Sequence, residues 1–100
     1  MIVVRDVFRL KFGKTREALA AWKEMGEYMK SHGFDAATVR ILTDLVGPYY
    51  TLVMETTVPG LAEWEAQGRK VMSDSNWRKA YEKMVPLVES GYREIFNVVQ

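Results

Sequence analysis

The sequence predicts an α+β fold, a single four-stranded antiparallel sheet with helices on one face. Three observations carry this prediction. Apolar residues recur first with period two, then at helical spacing, then with period two twice more, in the order β-α-β-β-α-β, and this order fills all 100 residues. A short turn joins the two middle strands, which must therefore pair antiparallel. Right-handed crossovers then place the strands in the order 4-1-3-2, with the helices on the same side.

Each element follows from its residues. Residues 2–11 alternate, with Ile2, Val4, Asp6, Phe8 and Leu10 on one face and Val3, Arg5, Val7, Arg9 and Lys11 on the other. Gly13 marks the next turn, and Thr15 is placed to cap a helix. From Thr15 to His32 the spacing is helical. Ala18, Trp22, Met25 and Met29 form one stripe, with Leu19 beside it and Glu17, Lys23, Glu24, Glu27 and Lys30 on the wet side. Gly33 is expected to stop this helix in a left-handed cap, with Phe34 packed back over its last turn. Residues 37–45 and 49–58 alternate again, around a turn at Val46-Gly47-Pro48. Pro59 suits the first turn of the following helix, where a missing N–H costs nothing. Leu61, Trp64, Gly68 and Val71 continue at helical spacing. Ser73-Asp74-Ser75-Asn76 interrupts the run and offers new caps. Trp77, Tyr81, Met84 and Val88 mark a second helical segment, which Pro86 should kink or end. Ser90-Gly91 closes it, and Tyr92 to Val99 is the last strand.

Without internal repeat or linker, residues 1–100 make one domain. The formal net charge is +1, with no run of either sign. This argues against a nucleic-acid partner, which needs a basic patch. Strand 3 also lacks the basic and aromatic motif of RNA-recognition sheets. There is no cysteine, so disulfides, cysteine-bound metals and thiol nucleophiles are excluded. The single histidine, His32, falls in the last turn of the first helix, where a cation complements the helix dipole. Alone it makes neither a metal site nor a Ser-His-Asp set. Gly13-Lys14-Thr15 lacks the upstream glycine of a phosphate-binding loop. No stretch approaches the roughly 20 apolar residues of a membrane span, and charge comes too early, at Arg5, for a secretory core. The expectation is a cytoplasmic protein with no cofactor, no metal, and neither a membrane nor a nucleic acid as partner.

The Ile2/Val4/Phe8/Leu10 face, with Val39, Ile41, Tyr50, Leu52 and Met54, is assigned to the helix-covered side. The other side carries Val3, Arg5, Val7, Arg9, Arg40, Leu42, Thr51, Val53 and Glu55. That mixture is too apolar for a solvated face, and a patch of this kind usually marks a partner. A second copy, packed sheet on sheet about a two-fold axis, is the simplest cover, and Glu55 could pair across it with Arg5, Arg9 or Arg40. The alternative is an exposed sheet with scattered valines.

Asp6 interrupts the apolar face of the first strand. A carboxylate among Ile, Val, Phe and Leu must be hydrogen-bonded, paired, protonated or lining a wet cavity. It is the candidate proton acceptor; the structural alternative is that it sits hydrated near a strand end or pairs with an arginine. Tyr81 is the candidate hydrogen-bond donor. Phe8, Trp22, Tyr50, Trp64 and Trp77 are the candidate walls of a pocket between sheet and helices, although aromatic residues on a helical stripe are more often plain core.

Four stretches resemble the dimeric α+β barrel superfamily, whose domains are ferredoxin-like. These are strand 1 running into Leu10-Lys11-Phe12-Gly13-Lys14; the hairpin from Leu42 to Val53; Leu61-Ala62-Glu63-Trp64-Glu65; and Trp77-Arg78-Lys79-Ala80-Tyr81 with Pro86-Leu87-Val88. The superfamily includes antibiotic-biosynthesis monooxygenases, haem-degrading monooxygenases and NIPSNAP-like proteins. The resemblance implies a homodimer with a small-molecule pocket beneath the helices. In haem-degrading members that pocket uses an asparagine, a tryptophan and a histidine. Asp6, Val71 and Tyr81 stand at those positions here, so haem degradation by that route is not expected. Two functions follow as expectations. One is a cofactor-independent monooxygenase or isomerase acting on a hydrophobic compound, with Asp6 and Tyr81 at work. The other is a non-catalytic dimeric ligand-binding or accessory protein.

Overall fold

In the computed structural model, which describes all 100 residues, β1 (Ile2–Leu10) runs through the middle of the sheet. It pairs antiparallel with β3 (Thr51–Val58) on one side and with β4 (Val88–Asn97) on the other. The edge strand β2 (Val39–Thr43) pairs with β3, which gives the order β2-β3-β1-β4. This is the predicted topology, read from the other edge. Helices α1 (Thr15–Ser31), α2 (Leu61–Met72) and α3 (Ser75–Met84) complete the chain.

Several boundaries move, each for a local reason. Thr15 is the first helical residue rather than the cap; Lys14 takes the cap position, and its ammonium lies 3.3 Å from Glu17. At the far end of α1, Gly33 adopts φ +91°, and Phe34 N–H donates to Met29 O at 3.2 Å, as a glycine-terminated helix requires. Pro59 stays outside α2, which Gly60 caps. The link between β2 and β3 is residues 44–50, longer than the expected turn. Asp44 closes it by accepting the Thr51 N–H at 3.0 Å and donating its own N–H to Thr51 O at 3.2 Å. Tyr50 sits there at φ +59°, so residues 49 and 50 leave the strand alternation.

The last strand starts at Val88 rather than Tyr92. A 3-10 turn over Val85–Leu87, with Pro86 inside it, ends the helical region, and Leu87 O at once accepts the Lys11 N–H at 2.8 Å. Ser90-Gly91 therefore lies within β4. Gly91 faces Phe8 across the pair, and a Cβ there would sit 3.0 Å from the Phe8 ring. The absent side chain leaves room for that ring.

The core is divided. One cluster joins Leu10 and Leu52 to Ala18, Trp22, Met25 and Met84 at one end of the sheet. The other joins Ile2, Val4 and Val58, with Trp64 packed against it, at the opposite end. On β1, Asp6 and Phe8 fall between them. A cleft between the sheet and the helices lies at that level.

Candidate functional site

Asp6 is buried, as its place on the apolar face requires, and its register partners are Met54 on β3 and Arg93 on β4. The pairing with β4 satisfies it. Arg93 Nε donates to Asp6 Oδ1 at 2.5 Å, a charge-assisted bond across adjacent strands. The guanidinium carbon of Arg93 also lies 4.7 Å from the Trp64 ring centroid, within cation–π range. Arg93 is thus held from two sides, by a buried carboxylate beneath it and an α2 tryptophan beside it. This is the ion pair that stood among the structural alternatives for Asp6, and it engages one of the two carboxylate oxygens.

Above this pair the sheet and helices border a half-open cleft of about 370 Å³. Its walls come from every layer of the fold. Phe8, Met54 and Thr56 rise from the sheet, Trp22, Met25 and Met29 come from α1, and Trp64, Gly68 and Met72 come from α2. Trp77, Tyr81 and Met84 close it from α3, and Arg93 enters from β4. A neighbouring hollow of about 350 Å³ between α1 and β2 shares Trp22, Met29, Phe34 and Met54 with it. Five methionines line the main cleft, and thioether side chains adapt readily to a guest's shape.

Of the expected pocket residues, Phe8, Trp22, Trp64, Trp77 and Tyr81 line the cleft. Trp77 and Tyr81 stack with centroids 5.3 Å apart and planes 18° from parallel, and Phe8 leans on Trp22 at 4.9 Å. Tyr50 lies outside the lining. Its left-handed backbone takes it out of the strand pattern, and its ring meets Phe12 edge-on at 4.6 Å. Asp6 lies beneath Arg93 rather than in the lining. Sequence reasoning missed Arg93 and the methionine wall. The signal for Arg93 was present: strand order puts β4 beside β1, and an acid on an apolar strand needs a cation opposite.

A second polar pair sits where α1 meets α3. His32 Nε2 lies 2.8 Å from Asp74 Oδ2. An ionised carboxylate only accepts, so Nε2 carries the proton in that bond. Asp74 Oδ1 caps α3 by accepting the backbone N–H groups of Asn76 at 2.8 Å and Trp77 at 3.4 Å. The His32 hydrogen bond foremost, then these N–H groups, hold the Asp74 carboxyl below its ordinary value, against the opposing pull of desolvation. A depressed carboxyl contributes stability that is complete above its unfolded value and disappears as pH falls through the lowered folded value. Stability of the wild type is therefore expected to fall below about pH 4. In Asp74→Asn that part of the acid dependence is expected to vanish. Urea midpoints measured at steps from pH 5 to pH 2.5 test this, and identical slopes in the two proteins would refute it.

No family model matches the sequence, and no curated protein matches it. Solved structures do match. A NIPSNAP family protein of unknown function from Agrobacterium tumefaciens superposes with a TM-score of 0.84 at 22% identity, over 96% of this chain and 86% of that one. The fold is that of NIPSNAP family structures. An uncharacterised NIPSNAP domain protein from Burkholderia xenovorans gives a TM-score of 0.83 at 18% identity, over 99% of this chain and 95% of that one. A putative antibiotic biosynthesis monooxygenase from Nitrosomonas europaea gives 0.75 at 14% identity, with each chain covered completely. At these identities the likeness is one of fold. No helix is long and apolar enough to cross a membrane.

Proposed function

We propose that this protein is a homodimer, paired through the outer sheet face, in which each subunit binds a hydrophobic small molecule in the cleft beneath its helices. The divided core carries the binding half of this reading. A domain with only 14 of its 100 residues buried leaves a methionine- and tryptophan-lined cleft open through its middle, at a cost in stability that a ligand would offset. The size of the cleft suits a small organic guest. Gly68 offers a clean test, because a Cβ built there meets nothing within 4 Å. Gly68→Phe is expected to fill the cleft, keep the fold, and abolish the stabilisation by hydrophobic ligands seen in a thermal-shift screen of the wild type. Equal stabilisation of both proteins would overturn the reading.

The dimer half rests on surface area. The chain exposes 6727 Å², whereas a compact monomer of this mass is expected to expose about 5,800 Å². The excess is close to the ~800 Å² that each partner gives to a standard interface. The face proposed to be covered is the outer one, with Tyr92 and Phe96 on β4 beside Val3 and Val7 on β1, and Val53 and Leu42 beyond. Its charges are arranged differently from expectation. Glu55 is paired within the chain, with Arg5 at 3.1 Å and Arg40 at 2.5 Å, two of the three arginines foreseen opposite it across the dimer. Val53→Glu is expected to turn the dimer into a monomer in light scattering coupled to gel filtration. A wild type that is already monomeric at tens of micromolar would refute the pairing.

A second reading, oxygenation or isomerisation of the bound compound, draws support from Tyr81, whose ring lines the cleft beside Trp77. It would use Tyr81 as donor and Asp6 as proton acceptor. The engagement of Asp6 by Arg93 favours the binding reading over it. Oxygen uptake or product formation that is lost in both Asp6→Asn and Tyr81→Phe would reverse that preference.

A further inference from the structure

We infer that the molecule held in the cleft is an amphipathic carboxylate, with its acid group on Arg93 and its apolar body along the methionine wall. The inference rests on the cleft being a ligand site and assigns the chemistry of that ligand. Arg93 is the observation that carries it. Its Nε is committed to Asp6, its guanidinium carbon lies over the Trp64 ring, and its two Nη groups have no hydrogen-bond partner in the protein. Half of the side chain remains exposed, and it forms part of the cleft lining. A guanidinium fixed in this way presents a pair of N–H donors in a set orientation, the geometry that a carboxylate accepts with both oxygens. The ordering of a long side chain is already met by the contacts with Asp6 and Trp64, so little is left to lose on binding.

The remaining charges agree with an anion. Three charged residues line the cleft: Arg93, Arg69 and Glu65. Two cations against one anion leave one net positive charge, and Arg69 has no carboxylate within ion-pair distance. Asp6 weakens the field from behind, but it lies on the far side of the guanidinium from the guest. Apart from Thr56 and Gly68 the rest of the lining is apolar, and Phe34, Met29 and Met54 lead on into the hollow under α1. A head held at Arg93 and a body extended toward Trp22 would use both ends of this space. An aliphatic and a bicyclic aromatic acid share that chemistry, and the test separates them.

Calorimetric titration of the full-length protein with decanoate and with naphthoate, each beside its neutral amide, decides the matter. At least one acid is expected to bind about tenfold or more tightly than its amide, and which one does so identifies the body that fits. Arg93→Gln is expected to bring acid and amide within about twofold of each other. Because Arg93→Gln strands Asp6, the double variant Asp6→Asn with Arg93→Gln, neutral at both positions, serves as the folded control and should lose the same discrimination. Equal binding of acids and amides by the wild type would overturn the inference while leaving the cleft as a ligand site. Discrimination that survives in either variant would overturn it as well. No binding of any of the four compounds would remove both the inference and the reading beneath it.

Discussion

Trp22→Ala is expected to lower stability by about 4 kcal/mol, the upper range for truncating a buried aromatic. Trp22 is almost fully enclosed, belongs to the larger core cluster, and supports Phe8 at 4.9 Å. It also lines both hollows, so its removal merges them into one larger void instead of allowing the core to close. Against a total stability of roughly 5–15 kcal/mol this is a large fraction. For a chain of this length it corresponds to a fall in melting temperature of about 15–30 °C. Trp22→Phe keeps most of the packing and should cost only about 1–2 kcal/mol. Urea unfolding of the three proteins at one fixed concentration measures both differences, the fixed concentration being needed because dimerisation contributes to apparent stability. A cost below about 1 kcal/mol for Trp22→Ala would show that the side chain does not join the two regions of the molecule as described.

The second large effect belongs to the Asp6–Arg93 pair. Arg93→Ala removes the only ion-pair partner of a buried carboxylate. Breaking a buried pair from one side costs about 3–5 kcal/mol when both charges are enclosed. Arg93 is half exposed, and solvent already screens it, so about 2–3 kcal/mol is expected here. Removing both charges is a different matter. Asp6→Leu with Arg93→Met replaces the pair by apolar groups on an apolar face and is expected to fall within about 1 kcal/mol of the wild type. Denaturation of Asp6→Leu, Arg93→Met and the double variant gives the coupling energy directly. Additive single costs would show that the two residues do not act as a pair. A stable double variant that has lost carboxylate binding would fit a pair retained for recognition rather than for stability.

The two predictions fall on opposite sides of what the sequence can disclose. Trp22 was legible as core from its place in the Ala18-Trp22-Met25-Met29 stripe, because helical spacing is a property of neighbouring residues. The same holds for the alternation that put Ile2, Val4 and Leu10 under the helices, and for Gly33 as a helix stop. Boundaries were less legible where a local signal was overruled by a longer contact. Ser90-Gly91 has the composition of a turn, yet it lies inside β4 because its neighbours pair with β1 and the ring of Phe8 needs the space. Tyr50 fits the alternation of β3, yet the Asp44 bonds to Thr51 close the chain one residue later and turn it away.

By itself, the sequence determined the order of the elements, the inward face of the first three strands and the oddity of Asp6, since period and composition are written over a few consecutive residues. Only the tertiary structure decided what answers Asp6. Its cation lies 87 positions away, and the two meet because β4 returns beside β1 in one particular register. The same is true of His32, which finds the α3 cap 42 positions on, and of the cleft, which exists only once the two ends of the sheet have been covered by different helices. A shift of one residue in the β1–β4 register would turn Arg93 to the outer face and leave Asp6 alone in the core, so the site depends on pairing geometry that no local pattern contains.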